Sequence, residues 1–253
     1  MNWIGLNTLI KREVGRFFSV YRQTVLPGLI SSGLYIVIFG FTLEQRISEI
    51  QGVPYTLFIL PGLIMMNTLT NATANTSSSM LQMKLLQQLP DLLTAPLSGL
   101  EISLAYIIGG TVRGVVNGIL VLMLGMFLTD LTIANPVGTV AFIFLVSWAF
   151  ASMGLILGQI AESWDQLAMM QNFFLTPLSF LGGIFYSIKM LPEWAQSLSF
   201  INPIYYMING IRYTILGISD SSVNISFIMA VILTFVFTVA AIMLMQSGKK
   251  IKQ

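Results

Sequence analysis

Apolar residues run through this chain in blocks rather than in alternation. Six blocks are long enough to cross a bilayer as helices: 25–43, 54–78, 102–128, 136–160, 168–187 and 223–245. A crossing helix needs about 20 mostly apolar residues, because the hydrocarbon layer is about 30 Å thick and a helix rises about 1.5 Å per residue. The predicted fold class is therefore all-α: a polytopic membrane protein with six transmembrane helices, forming one domain over residues 1–253. A seventh apolar segment, Pro203 to Gly217, is too short for a crossing. With Pro192 and Pro203 suited to first helical turns, residues 188–217 read as short outer-face helices that partly re-enter the membrane.

Residues 1–22 follow a different pattern. Leu6, Leu9, Ile10, Val14, Phe17, Phe18 and Tyr21 recur at helical spacing, while Lys11, Arg12, Glu13, Arg16 and Arg22 largely fill the other positions. That predicts an amphipathic helix lying in the membrane interface. Its charges also argue against a cleavable signal peptide. Lys and Arg gather here and at Lys249, Lys250 and Lys252, so the positive-inside rule puts both termini in the cytoplasm, as an even number of spans requires.

Composition narrows the chemistry. Hydrophobic residues make up 55% and charged residues 9%, too few charges to clothe a soluble surface of this size. Cysteine and histidine are both absent, which removes thiolate and imidazole metal ligands and the commonest general base. No GxxxxGK[ST] phosphate loop occurs, and the carboxylates form no obvious pair. The expectation is a non-enzyme with no catalytic residues, no metal, no cofactor of its own and no nucleic-acid partner.

Polar and small residues inside the blocks point to function or packing. Asn67, Asn71 and Asn75 fall on one face of the second span, as a pathway lining or as glue between helices. Gly110, Gly114 and Gly118 in the third span, with Gly154 and Gly158 in the fourth, predict close helix contacts. Arg113, the lone central charge, needs a partner: Asn117, Glu162 or the asparagine stripe. It serves either a structural network or contact with an anionic headgroup. Phe173, Phe174, Thr176, Pro177, Phe180 and Gly182-Gly183 give the fifth span an aromatic, bent character suited to a pathway wall or to ordinary lipid contact.

Between the second and third spans, residues 85–99 contain Leu89-Pro90-Asp91-Leu92-Leu93-Thr94-Ala95-Pro96. Pro90 and Asp91 suit the first turn of a short helix, and Pro96 ends it. Leu89, Leu92, Leu93 and Leu97 then need a cover, either a partner protein or the N-terminal helix.

This segment resembles the coupling segment of the ABC-2 type exporters. Leu175-Thr176-Pro177-Leu178 and Gly182 to Ser187 resemble that family's fifth span. Leu191-Pro192, Trp194, Asn202-Pro203-Ile204-Tyr205-Tyr206 and Gly210-Ile211-Arg212-Tyr213 resemble its outer helices. Pro90 departs from the polar or acidic residue common there. The resemblance implies a permease homodimer in a bacterial inner membrane, with lipid around it. Two copies of a separate ABC ATPase would hold ATP and Mg, and the second and fifth spans would face the pathway. The lack of carboxylates suits a hydrophobic or amphipathic cargo such as a lipid, drug or glycan-type molecule. A secondary transporter or channel without an ATPase is the alternative.

Overall fold

The computed structural model describes residues 2–248, so Lys249, Lys250 and Lys252 lie outside the described residues. Ten helices, besides a 3-10 turn at Ile188–Met190, organise the described residues. α1 (Trp3–Ser19) is capped by the Asn2 side chain, which accepts from the Gly5 N–H. After an elbow at Val20, α2 (Tyr21–Glu44) runs as one apolar rod with a π-helical stretch at Ile36–Phe41. A two-residue hairpin follows, β1 (Glu49–Ile50) against β2 (Val53–Pro54), turned by Gln51 and Gly52, both at positive φ. Next come α3 (Tyr55–Leu85), α4 (Leu89–Thr94), α5 (Gly99–Leu128) and α6 (Pro136–Ile160). α7 covers residues 164–181, with a π-helical middle at Gln171–Leu175. α8 (Glu193–Ile201), α9 (Pro203–Leu216) and α10 (Val223–Ser247) complete the chain.

Local sequence explains the boundaries. Ser98 and Glu101 close a reciprocal capping box on α5, Asn135 caps α6 ahead of Pro136, and Asn202 caps α9 ahead of Pro203. Gly217 and Gly248 end α9 and α10 in the left-handed conformation. α3 runs to Leu85, beyond the expected end at 78, because the helix need not stop where the apolar run does. Likewise α5 starts at Gly99 rather than 102.

Among the described residues, five helices are long and apolar enough to cross a membrane: α2, α3, α5, α6 and α10. α7 is shorter than the sequence suggested. Its helix stops at Leu181, and Gly183 at φ +82° turns the chain so that 182–187 is not helical. The 14-residue α9 is about 21 Å long and cannot span the hydrocarbon. It is nevertheless almost wholly buried, with Ile204, Met207, Ile208, Ile211 and Ile215 in the core.

The centre of the molecule is α3, packed between α5 and α6. Glycine makes that approach possible. A Cβ on Gly154 would sit 2.4 Å from the Thr73 carbonyl oxygen, and one on Gly158 would sit 2.7 Å from that of Ser77. Gly110, Gly114 and Gly118 of α5 leave equally little room beside Thr76, Ala72 and Thr68. The glycines are therefore packing residues, and the backbones they admit are tied by Thr76 and Thr73 hydroxyls donating to the carbonyls of Ala151 (2.8 Å) and Phe150 (3.2 Å).

Candidate transport pathway and coupling site

The two ends of the bundle carry different polar networks. At the α1 end, the expected two-faced helix holds with one correction. Glu13 does not lie on the solvated side: it is fully buried with Leu6, Leu9 and Phe17. Its spacing, four residues from both Leu9 and Phe17, places it on the apolar stripe, a signal that charge alone obscured. Gly109 of α5 leaves the space its side chain needs. Glu13 accepts from Arg12 Nη2 at 2.9 Å and from the Ser79 hydroxyl at 2.7 Å, and Arg16 Nε stands 3.7 Å away. Arg12 Nη2 also donates to the Tyr106 hydroxyl at 2.9 Å. Burial works against the Arg12 charge, but Tyr106 and Glu13 more than offset it, and the net displacement of its pKa is upward. Thus α1 is joined to α3 and α5 by charge-assisted bonds as well as apolar contact. Asn2 extends the joint by donating to Glu101 through its backbone and to the Pro96 carbonyl through its side chain.

α4 sits beside that joint. Four leucines were expected to need a cover. Two of them, Leu89 and Leu92, are already buried in the same apolar cluster as Leu6 and Leu9, because residues three apart share the inward face. Leu97 is half-buried against Gly5. Leu93 stays exposed, with Pro90, Asp91, Thr94 and Pro96, while Ala95 is half-buried. Leu85 and Leu86 at the end of α3 are also exposed, and the sequence reading had not singled them out. Directly after them, Gln87 holds a left-handed conformation at φ +54°. α4 is thus anchored on one side and presents an apolar rim on the other.

Arg113 is answered by the asparagine stripe. Its Nε and Nη2 donate to Asn71 Oδ1 at 3.1 and 3.0 Å. Asn71 in turn donates to Asn67 Oδ1 at 2.9 Å, and Asn67 reaches Ser32 on α2 at 3.4 Å. Asn117 does not compensate the charge; it donates to the Arg113 backbone carbonyl. Glu162 is no partner either, since its place is the solvated turn before α7. One turn along α3, Asn75 takes Arg16 Nη2 on its side-chain oxygen at 3.2 Å and on its backbone carbonyl at 2.8 Å. The stripe therefore holds two guanidiniums. Asn67 is half-buried, and Asn71 and Asn75 are buried.

One partly uncovered strip of the bundle is formed by α3 and α7. Along α3, Thr70 is exposed and Met66, Ala74 and Ser78 are half-exposed, at a constant spacing of four. Phe173, Phe174, Thr176, Pro177 and Phe180 of α7 are all exposed. The π-helical turn just before Pro177 widens the ladder where the proline ring would crowd the carbonyl four residues back. Gln171 joins α7 to α3 by donating to the Ser77 hydroxyl at 2.9 Å.

At the opposite end, a second charged network escaped the sequence reading. Arg212 of α9 and Asp220 pair at 3.3 Å, each side chain 1% exposed. Arg212 also donates to the Gly183 carbonyl at 2.6 Å and lies 4.0 Å over the Phe58 ring. Asp220 accepts from Ser187 and Gln51 and donates its backbone N–H to Asn209 Oδ1. This cluster ties α9 to the hairpin, to α3 and to the turn after α7. The pair joins a helix residue to one eight positions on in the following loop, a separation that gave no periodic signal.

Comparison with known proteins agrees with this architecture. The family model described as ABC-2 type transporter matches residues 5–216. The inner membrane transport permease YadH of Escherichia coli K12 is 37% identical over 250 residues, 99% of this chain and 98% of that one. Nodulation protein J of Sinorhizobium fredii NGR234 is 25% identical over 212 residues, covering 83% of this chain and 80% of that protein. Its counterpart in Rhizobium leguminosarum bv. viciae is 26% identical over 223 residues, 86% and 83% of the two chains. With its apolar crossing helices, its α4 segment and a family match over most of its length, this chain belongs to the ABC-2 type transporter family of membrane permeases.

Proposed function

We propose that the chain is the membrane half of an ATP-driven exporter in a bacterial inner membrane, working as a homodimer with two copies of a separate ABC ATPase. As an ABC-2 permease it is a membrane transport component and not itself an ATPase. ATP and Mg belong to the partner, and this chain holds no cofactor. α7 supplies the sixth span, α8 and α9 dip in from the outer face, and both termini are cytoplasmic. The charges of Lys11, Arg12, Arg16 and Arg22 at the α1 end support that orientation.

The observation that carries the proposal is the two-sidedness of α4. Leu89 and Leu92 are buried against the chain's own core, while Leu93, Leu85 and Leu86 stand exposed beside Asp91. An anchored helix with an apolar outer rim suits a groove on a partner that pushes and is released. Residues 85–99 then couple the ATPase, and α1, bonded through Glu13 and Arg12 to α3 and α5, transmits the push to the spans. The uncovered face of α3 and α7 lines the pathway, with Phe173, Thr176, Pro177 and Phe180 on it. Asn71 and Asn75 hold arginines behind that face, and Asn67 borders α2. Alternating access between inward- and outward-open forms moves a hydrophobic or amphipathic molecule.

Mild solubilisation of the tagged chain from its native membrane tests this. Copurification of an ABC ATPase at equal stoichiometry, with ATP hydrolysis in the complex, is expected. Repeated recovery of the permease alone, with transport that persists without ATP, would overturn it in favour of a carrier or channel.

A further inference from the structure

Between α2 and α3 lies a cleft of 280 Å³, lined by Gln23, Thr24, Ser31, Ser32, Tyr35, Asn67 and the Arg113 guanidinium among others. Its composition is unusual for a site facing a bilayer, where polar groups are normally turned inward. Gly28 is packed against Asn67, and Asn71 stands one turn nearer the α1 end, so Arg113 sits level with the first turns of α2. That is just above the elbow where α1 turns into the first span. With α1 lying in the membrane interface, as its two-faced pattern implies, headgroups of the leaflet on the α1 side lie at that level.

Charge balance is incomplete there. Three guanidiniums, Arg12, Arg16 and Arg113, share one carboxylate, Glu13, and Glu13 serves Arg12 and Arg16. Among the described residues no acid lies within ion-pair distance of Arg113. Its Nε and Nη2 are both spent on a single neutral oxygen, Asn71 Oδ1. A neutral amide orients an arginine without neutralising it, and an uncompensated charge beside lipid is costly. An anion arriving in the cleft would complete the fork with charge-assisted bonds. The walls fit the rest of an amphiphile: Ser31, Ser32 and Thr70 border the headgroup, and Leu63, Met66 and Tyr35 continue the cleft along the bilayer normal.

We infer that the α2–α3 cleft is a loading site for an anionic amphiphile, whose phosphate or carboxylate pairs with Arg113 while its chain remains in the leaflet on the α1 side. The inference rests on the exporter reading for the word loading; the binding itself does not need an ATPase.

The test uses the full-length permease, delipidated and titrated with phosphatidylglycerol or phosphatidylcholine under native mass spectrometry. Wild type is expected to prefer phosphatidylglycerol, and Arg113→Gln to lose about tenfold or more of that affinity with phosphatidylcholine unaffected. Arg113→Lys should keep most of it. Ser31→Trp, which narrows the cleft without touching the arginine, should lose it too and covers the case in which Arg113→Gln folds poorly. Arg46→Gln, an exposed cation at the other end, should bind as wild type. Wild-type affinity in Arg113→Gln and Ser31→Trp, or an equal loss in Arg46→Gln, overturns the site. Displacement by inorganic phosphate as effective as by the lipid overturns the amphiphile. In the complex with its ATPase, a non-hydrolysable ATP analogue should weaken phosphatidylglycerol binding; unchanged affinity overturns loading and leaves a fixed structural lipid. Failure to find an ATPase would strike the exporter reading and leave the binding result standing.

Discussion

Asp220→Asn removes one charge from a pair that water does not reach. In the native chain Arg212 and Asp220 are each 1% exposed, and Arg212 Nε already has no hydrogen-bond partner. The variant leaves the guanidinium with only the Gly183 carbonyl, the Phe58 ring and a neutral amide. Breaking a buried pair at one side costs about 3–5 kcal/mol. An asparagine still accepts from Ser187 or Gln51, which argues for the lower end, about 3 kcal/mol. For a chain of this size that corresponds to a fall in Tm of roughly 6–12 °C. Intrinsic fluorescence of the four tryptophans, followed on heating in dodecyl maltoside, reads it. Arg212→Met should lose a similar amount by stranding Asp220. The double variant Arg212→Met/Asp220→Asn carries neither charge and should lose distinctly less than the sum of the singles. Added salt should leave the wild-type Tm nearly unchanged, since a buried pair is poorly screened. Single variants within about 2 °C of wild type, or a double equal to the sum, would refute the claim that the pair acts as a unit.

Leu93→Asp puts a charge on the exposed rim of α4 and should cut cargo-stimulated ATP hydrolysis by about tenfold or more while the permease still inserts and dimerises; undiminished stimulation removes α4 from the coupling site. Gly154→Leu drives a side chain into the Thr73 backbone and should cost about 3 kcal/mol or more, seen as loss of a monodisperse peak in size-exclusion chromatography. Gly15→Ala, where a Cβ meets nothing within 4 Å, should be neutral or raise Tm. Gln87→Gly relieves a left-handed residue and should stabilise by about 0.5–1 kcal/mol, measurable as a small upward shift in Tm.

The apolar blocks announce helices because lipid demands one-dimensional hydrophobicity, and α2, α3, α5, α6 and α10 fall where the blocks do. Their ends were less legible. α3 outruns its apolar block by seven residues, from Ser79 to Leu85, because backbone hydrogen bonds continue after the lipid stops. α7 ends early because Gly183 takes a left-handed turn, which composition permits without requiring. The glycines of α5 and α6 were readable as packing, since no other role suits small residues at that spacing. The partners of charged groups were not. Arg113 advertised a need, and three answers satisfied it equally from sequence; only the register of α3 against α5 selects Asn71. Glu13 and the Arg212–Asp220 pair were hidden for a related reason: charge suggests water until the fold shows none.

The two π-helical stretches have a mechanical consequence. α3, α5 and α6 are locked by glycine against backbone, so a displacement there must move all three together. α2 and α7 carry the wide turns, at Ile36–Phe41 and Gln171–Leu175, and both leave many large apolar side chains exposed. A π turn stores one residue more than the α ladder accommodates, and the surplus can migrate by exchanging hydrogen bonds one at a time. Each passage rotates the segment on one side by about a quarter turn relative to the other, at little enthalpic cost. The molecule thus divides into a stator made by glycine and two rods with built-in swivels.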